Sequence, residues 1–214
     1  VNNIAYKGAG LHIGGVSRPQ ISNSLIYKNV ASSEGGGLWM QQGEPALENV
    51  IISNNSAGSK GGGMYVFLYS TPTFSLVDFH HNSANQGAAL YVVNNSNPLI
   101  ESICASGNSS QEAGIIYVES GNPIITNSNL VNYGVSIYNY DNAFITEASN
   151  NYWGSSIGPY HPSQNSDGVG DSTNAFVNII PWESDPSLAA PAIPPQHLNI
   201  LETGNDFISL SWVS

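Results

Sequence analysis

Residues 35–57 read GGGLWMQQGEPALENVIISNNSA. Three glycines lead into an apolar patch, Leu38-Trp39-Met40; Pro45 opens a second, Ala46-Leu47-Glu48-Asn49; a third, Val50-Ile51-Ile52, runs into Ser53-Asn54-Asn55-Ser56-Ala57. No patch is long enough for a helix or carries a stripe of helical period, and turn residues punctuate the stretch every few positions. The segment therefore reads as three short strands.

The same pattern returns on both sides. Leu11-His12-Ile13, Leu38-Trp39-Met40, Met64-Tyr65-Val66, Leu90-Tyr91-Val92, Ile116-Tyr117-Val118 and Ile137-Tyr138-Asn139 have middle residues that step by 27, 26, 26, 26 and 21. Pro19, Pro45, Pro72, Pro98 and Pro123 step by 26, 27, 26 and 25, and two residues after each comes Ile21, Leu47, Phe74, Ile100 or Ile125. A constant period of this length marks a solenoid. Short strands repeating in this way are satisfied when each repeat is one coil of a parallel β-helix, with equivalent strands stacked about 4.8 Å apart. Leu11, Ile13, Leu38, Met40, Met64, Val66, Leu90, Val92, Ile116 and Val118 then point inward, and the middle residues point out. The glycines before the strand suit a corner closed to other residues. Asn29, Asn55, Asn82 and Asn108, stepping by 26, 27 and 26, mark another corner. Turn formation accounts for these asparagines, with hydrogen bonding between stacked amides along the axis as the alternative.

Composition narrows the class. Only 9% of residues are charged, and 4 Lys plus Arg against 15 Asp plus Glu leave a net charge of −11. Nucleic acid and anionic membrane surfaces, which need a basic footprint, are disfavoured as partners. Uncharged polar residues, including 26 Asn, carry solubility. The single Cys104 excludes an intrachain disulfide framework and reads as a buried apolar thiol. No apolar run approaches the roughly 20 residues of a membrane span. Val1 begins in polar sequence with no signal peptide and no evident cap before Leu11, which reads as a segment of something longer.

The combination of GGGLWM or GGGMYV, a following Pro, and Ile26 to Asn29, Ile52 to Asn55 or Phe79 to Asn82 resembles the repeats of bacterial right-handed parallel β-helix proteins. It is similar too to the repeats of the chlamydial polymorphic outer membrane proteins, surface autotransporter adhesins. The likeness covers roughly residues 8 to 150 and implies a right-handed coil in a secreted or cell-surface bacterial protein. The fold hosts adhesins, polysaccharide lyases, glycoside hydrolases and structural spikes alike.

Lyases on this fold, as the resemblance implies, use acidic calcium ligands and an Arg or Lys base. Here Lys7, Arg18, Lys28 and Lys60 fall at or near corners, outside any recurrent outward row with carboxylates beside it. A glycosidase needs two carboxylates about 5–9.5 Å apart. Glu48 and Glu101 share an offset after their prolines but lie two rungs apart, about 9.6 Å along the axis, with Ser75 between. His80 and His81, adjacent in an extended strand, face opposite sides and do not chelate one metal together. Asn54-Asn55-Ser56, Asn94-Asn95-Ser96 and Asn108-Ser109-Ser110 match the glycosylation pattern at the rate expected by chance in so Asn- and Ser-rich a chain. No cofactor, catalytic residue or metal site is expected.

Coils occupy residues 1–149. From Asn150 the period breaks, and residues 150–182 turn rich in Gly, Pro, Ser, Trp and Asp. This stretch resembles the closing segment of many secreted bacterial β-helix proteins and reads as a cap packing Tyr152, Trp153 and Trp182 over the last rung. A metal or acid/base cluster of His161, Asp167 and Asp171 is the weaker alternative, since no clustered His or Cys ligands accompany the carboxylates. Residues 183–196, with Pro186, Pro191, Pro194 and Pro195, read as a semi-rigid linker. Residues 197–214 alternate like two strands around a Gly204-Asn205-Asp206 turn. With Pro194, Pro195 and Trp212 they resemble the incomplete start of a fibronectin type III domain.

The outward row His12, Trp39, Tyr65, Tyr91, Tyr117 and Tyr138 puts one ring on each rung of one sheet face. Exposed aligned rings suit the C–H faces of sugars, and an Asn-rich surround suits their hydroxyls. Stacking that stabilises the sheet accounts for the row at least as well. The expectation is therefore a noncatalytic extracellular scaffold or adhesin segment, with polysaccharide or cell-surface glycan as partner through the ring row. The alternative is part of a polysaccharide lyase or glycoside hydrolase with catalytic coils upstream.

Overall fold

A computed structural model describes residues 1–194, 196–203 and 208–213. Its described elements are all strands, and those up to Asn178 assemble into three parallel sheets that run the length of a solenoid. Sheet I has five short strands, Ile4–Lys7, Val30–Glu34, Ser56–Ala57, Ser83–Gln86 and Ser109–Ala113. Sheet II carries the repeated triplets: Leu11–Ile13, Leu38–Gln41, Met64–Phe67, Leu90–Val92, Ile116–Val118 and Val135–Asn139. Sheet III begins with Gln20–Tyr27, Ala46–Ser53 and Thr73–His80, and in later coils each long strand divides in two.

Register follows the period read from the sequence. Leu38 pairs with Leu11 and Met64, Leu90 with Met64 and Ile116, and the middle residues pair His12–Trp39–Tyr65–Tyr91–Tyr117–Tyr138 without a slip. The flanking apolar residues fill one lumen, where Leu38, Met40, Met64, Val66, Leu90, Val92 and Ile116 are buried. Each large side chain there is worth about 1.5–3 kcal/mol. Leu11, expected inside, is 36% exposed because it lies on the first rung, where it packs against one neighbouring coil rather than two.

The GGG triplet has a separate reason at each position. Gly35 turns the corner at φ +66°, while a Cβ on Gly36 would meet the Ser56 carbonyl oxygen at 2.4 Å and one on Gly37 the Gly63 oxygen at 2.4 Å. Sheet I therefore approaches the glycines of the neighbouring rung with no room for side chains. Its inner positions are correspondingly small: Ala31, Ala57 and Ala84 form their own buried cluster.

Two further corners are turned by single residues in left-handed conformation. Asn23, Asn49, Leu76, Ser102, Asn127 and Asn150, with φ between 46° and 56°, bend the path of sheet III once per coil. Lys28, Asn54, His81 and Gly107, with φ between 53° and 59°, stand one residue before Asn29, Asn55, Asn82 and Asn108. Asparagine and glycine are expected there, but Leu76, Lys28 and His81 carry no such signal and are held by the stacked neighbours.

The asparagine corner does more than turn the chain. The Asn29 amide Nδ2 donates to Asn55 Oδ1 at 2.9 Å, Asn55 to Asn82 at 3.1 Å, Asn82 to Asn108 at 3.0 Å and Asn108 to Asn132 at 3.2 Å. Each Oδ1 also accepts the backbone N–H of the preceding asparagine, at 3.0–3.1 Å. Turn formation alone, the reading favoured from sequence, is thus replaced by a continuous axial ladder. Its far end is Asp171, whose carboxylate accepts Asn132 N–H at 2.6 Å, Gly134 N–H at 3.2 Å and the Ser136 hydroxyl.

Beyond Asn150 the chain keeps adding to the sheets. Gly170–Thr173 and Pro159–Tyr160 extend sheet II, and Val177–Asn178 extends sheet III. Trp153 is fully buried in the lumen cluster with Val177 and Ile179, and Trp182 packs against it. Tyr152 instead stands at the outer face, bridged to Asn129 and half-buried. Part of the Pro-rich segment lies along the outer face of sheet III. Asn129 clamps it there, accepting Ser187 N–H at 2.8 Å and donating to the Ser187 and Pro191 carbonyls at 3.2 Å each. Sequence reads this segment as a spacer because prolines report stiffness and not where a stiff segment lies. The backbones of Gln196–Thr203 and Ile208–Val213 pair antiparallel, and the Gly204-Asn205-Asp206 turn lies outside the described residues.

Candidate functional site

The ring row stands on the outer face of sheet II, because residues flanking each ring must face the lumen and alternation sends the ring outward. Trp39 and Tyr65 stack at 6.4 Å between centroids, Tyr65 and Tyr91 at 5.4 Å, Tyr91 and Tyr117 at 5.0 Å, Tyr117 and Tyr138 at 5.4 Å. His12 leans on Trp39 at 4.4 Å.

The row is outward but not open. Trp39, Tyr65 and Tyr117 are 6% exposed and Tyr91 1%; His12 alone is exposed and Tyr138 half-buried. The expected exposed platform is therefore corrected to a closed stack. At rung spacing both faces of each inner ring are covered by its two neighbours, leaving the edges, and Phe67, Val93 and Ala113 pack against the row.

Charged residues close the rest. Lys7 bridges Glu34 at 2.9 Å and lies 5.7 Å from the Trp39 ring, whose Nε1–H donates to Glu34 at 3.3 Å. Lys60 crosses the Tyr91 ring at 4.6 Å to reach Glu119 at 2.8 Å, and the Tyr91 hydroxyl donates to the same carboxylate oxygen. Burial, reinforced by the Glu34 and Glu119 carboxylates, pushes the Tyr65 hydroxyl well up, and burial with the Glu119 hydrogen bond does the same to Tyr91. Tyr117 is pushed up to about 12, by burial first and then by Tyr138 and Glu119. Burial acts to raise Glu119, but its hydrogen bonds from Lys60 and Tyr91 outweigh it and hold the carboxyl below its ordinary value. All three phenols are neutral at physiological pH, and none is poised as a base.

These clasps were legible as offsets but passed over. Lys7, Glu34 and Lys60 each stand five residues before a ring, and Phe67, Val93 and Glu119 two after.

The remaining candidates are dispersed or spoken for. Glu48 and Glu101 both pair in register with Ser75, two rungs apart as expected. His81 stands at a left-handed corner instead of in a strand, so its ring meets His80 edge-on at 5.5 Å rather than facing away, while His80 Nδ1 lies 2.9 Å from Asp78. Asp167 is exposed and Asp171 ends the asparagine ladder. His161 is buried, its Nδ1 accepting N–H from Ser163 and Gln164 at 3.1 and 3.0 Å, which places the proton on Nε2. Among the described residues no three of His, Cys, Asp and Glu gather in a metal-holding group. Cys104 is fully buried, and burial with the nearby Asp78 pushes its thiol up to about 12. Asn54 and Asn94 are exposed, while Asn108 is buried in the ladder.

Comparison with curated proteins and with solved structures finds no match to this chain. The sequence does match the family described as the right handed beta helix region over residues 1–153, the stretch that forms the coils and reaches Trp153. By that match, and by three parallel sheets stacked at one period, the chain belongs to the right-handed β-helix family.

Proposed function

We propose that this chain is a noncatalytic, extracellular scaffold or adhesin segment of a larger modular bacterial protein, with a β-helix closed by residues 150–182 and leading toward a fibronectin type III-like module. The observation that carries this reading is the use made of its cations. All four Lys and Arg have partners within the chain: Lys7 with Glu34, Arg18 with Glu44 at 2.8 Å, Lys60 with Glu119, and Lys28 over the Tyr27 ring at 4.9 Å. A base that removes a proton from a uronate needs a Lys or Arg side chain that is free to face substrate and to take up the proton in its neutral form, and here Lys7, Arg18 and Lys60 are each engaged in an ion pair within the chain. Asp171 and the ring stack likewise hold neighbouring structure together.

Glycan remains the partner this surface suits best, since its charged residues are few and its amide donors and acceptors many. On the ring row, contact falls to the end rings His12 and Tyr138. Incubation with pectin, alginate and xylan should release no product, while retention on affinity gels of the same polysaccharides should fall in a His12→Ala/Tyr138→Ala double variant. Product release would overturn the noncatalytic reading, and equal retention would overturn the role of the end rings.

A further inference from the structure

The free ring faces lie at another corner. In the fifth coil the chain leaves the ladder at Asn132 and, where earlier coils place Ser56, Ser83 and Ser109 at the start of sheet I strands, places Tyr133 at φ +60° and 64% exposed. This coil omits its sheet I strand, which is why its ring follows the preceding one by 21 residues rather than 26. A bulky aromatic in left-handed conformation is costly and persists only where its surroundings fix it. Here one carboxylate does so from both sides, since Asp171 takes the N–H of Asn132 and of Gly134.

Tyr133 forms a ridge between two hollows. One, about 440 Å³, runs over Gly170 and Ser172; the other, about 680 Å³, opens between Tyr133, Tyr152 and Val131 on the coil and Pro186, Leu188 and Ile193 on the clamped Pro-rich segment. Both volumes fall in the range of about 300–1,000 Å³ typical of small-ligand clefts. The larger has no charged residue in its wall, although the chain carries a net −11. Two phenol rings, Tyr133 and Tyr152, thus line an uncharged cleft whose far wall is held by Asn129. Flat apolar faces beside hydroxyl-binding groups suit a pyranose, and the uncharged wall selects against uronates and cations.

We propose that the cleft between Tyr133, Tyr152 and the Pro-rich segment binds a neutral saccharide unit. This rests on the glycan part of the function proposed above and moves its principal contact away from the ring stack. The test is calorimetric titration of the whole chain with cellotetraose, xylotetraose and chitotetraose. At least one should bind, and Tyr133→Gly, which removes the ring yet accepts φ +60° without strain, should weaken binding at least tenfold at unchanged thermal stability. Tyr133→Phe, keeping the ring face, should weaken it less than threefold. Binding unaffected by Tyr133→Gly but lost in the His12→Ala/Tyr138→Ala variant overturns the cleft and leaves the glycan reading standing. Binding of none of the three sugars overturns both.

Discussion

The asparagine column and the aromatic column climb the same coils at the same spacing, yet they hold the molecule by different means. Asn29, Asn55, Asn82 and Asn108 are buried, each with Oδ1 accepting two N–H groups and, from Asn55 to Asn108, Nδ2 donating both along the axis and to a backbone carbonyl. No other side chain offers both a donor pair and a two-site acceptor at that length, so the column tolerates one residue type. The aromatic column asks only for flat apolar area, and His, Trp and Tyr all serve. Its polar closures, Lys7–Glu34 and Lys60–Glu119, are half-exposed ion pairs of small individual worth. A column of directed bonds is thus brittle to substitution, and a column of stacked faces is forgiving.

That contrast is open to direct attack. The largest loss is expected for Asn82→Ala, which strips partners from Asn55 and from the Asn108 carboxamide together; about 3–5 kcal/mol should appear in chemical denaturation, and a loss below 1 kcal/mol would show the ladder to be incidental. Asp171→Ala should cost about 2–3 kcal/mol by orphaning two backbone N–H groups, whereas Asp171→Asn, which keeps an acceptor at the ladder's end, should recover most of it. In the ring column Tyr91→Phe keeps the stack and loses one hydrogen bond, so about 1 kcal/mol is expected. Lys60→Met should cost about 0.5 kcal/mol at low salt and nothing measurable at 1 M salt; a salt-independent loss would mean that the lysine stem rather than its charge covers Tyr91.

The smallest effect is one of pH. Burial holds His161 below its ordinary value of 6.5. The unfolded chain then binds the proton more readily than the folded one, so stability should be flat above about pH 7 and decline as pH falls through 6.5. A melting temperature that rises between pH 7 and 5.5 would contradict this sign.

Much of the architecture was legible because it repeats. Alternation within LWM, MYV and LYV assigned inward and outward sides, and the proline phase set the register that the pairings show. Less legible were features in which a residue's role depends on what stacks above and below it. Leu76 and His81 adopt left-handed corners that their identities do not favour, and Asp171 ends a ladder whose other members lie up to 168 residues earlier, at Asn3. The exposure of the rings failed for a related reason. Alternation reports which way a side chain leaves the sheet, but whether solvent reaches it depends on Phe67, Lys60 and Glu119 arriving from other positions and other coils.

The sequence by itself determined the coil: its period, its strand character, the side the repeated triplets present and the low charge of its surface, all properties of local pattern repeated at fixed spacing, while the patches after Pro45 that read as two strands form one, Ala46–Ser53, and Ser56–Ala57 supplies the third. Only the tertiary structure decided that the rings are closed rather than open, that the asparagines bond along the axis, and that a tyrosine at one shortened coil faces a cleft roofed by the Pro-rich segment. Those outcomes depend on contacts between coils and between distant segments, where geometry rather than residue type decides which partner is within reach.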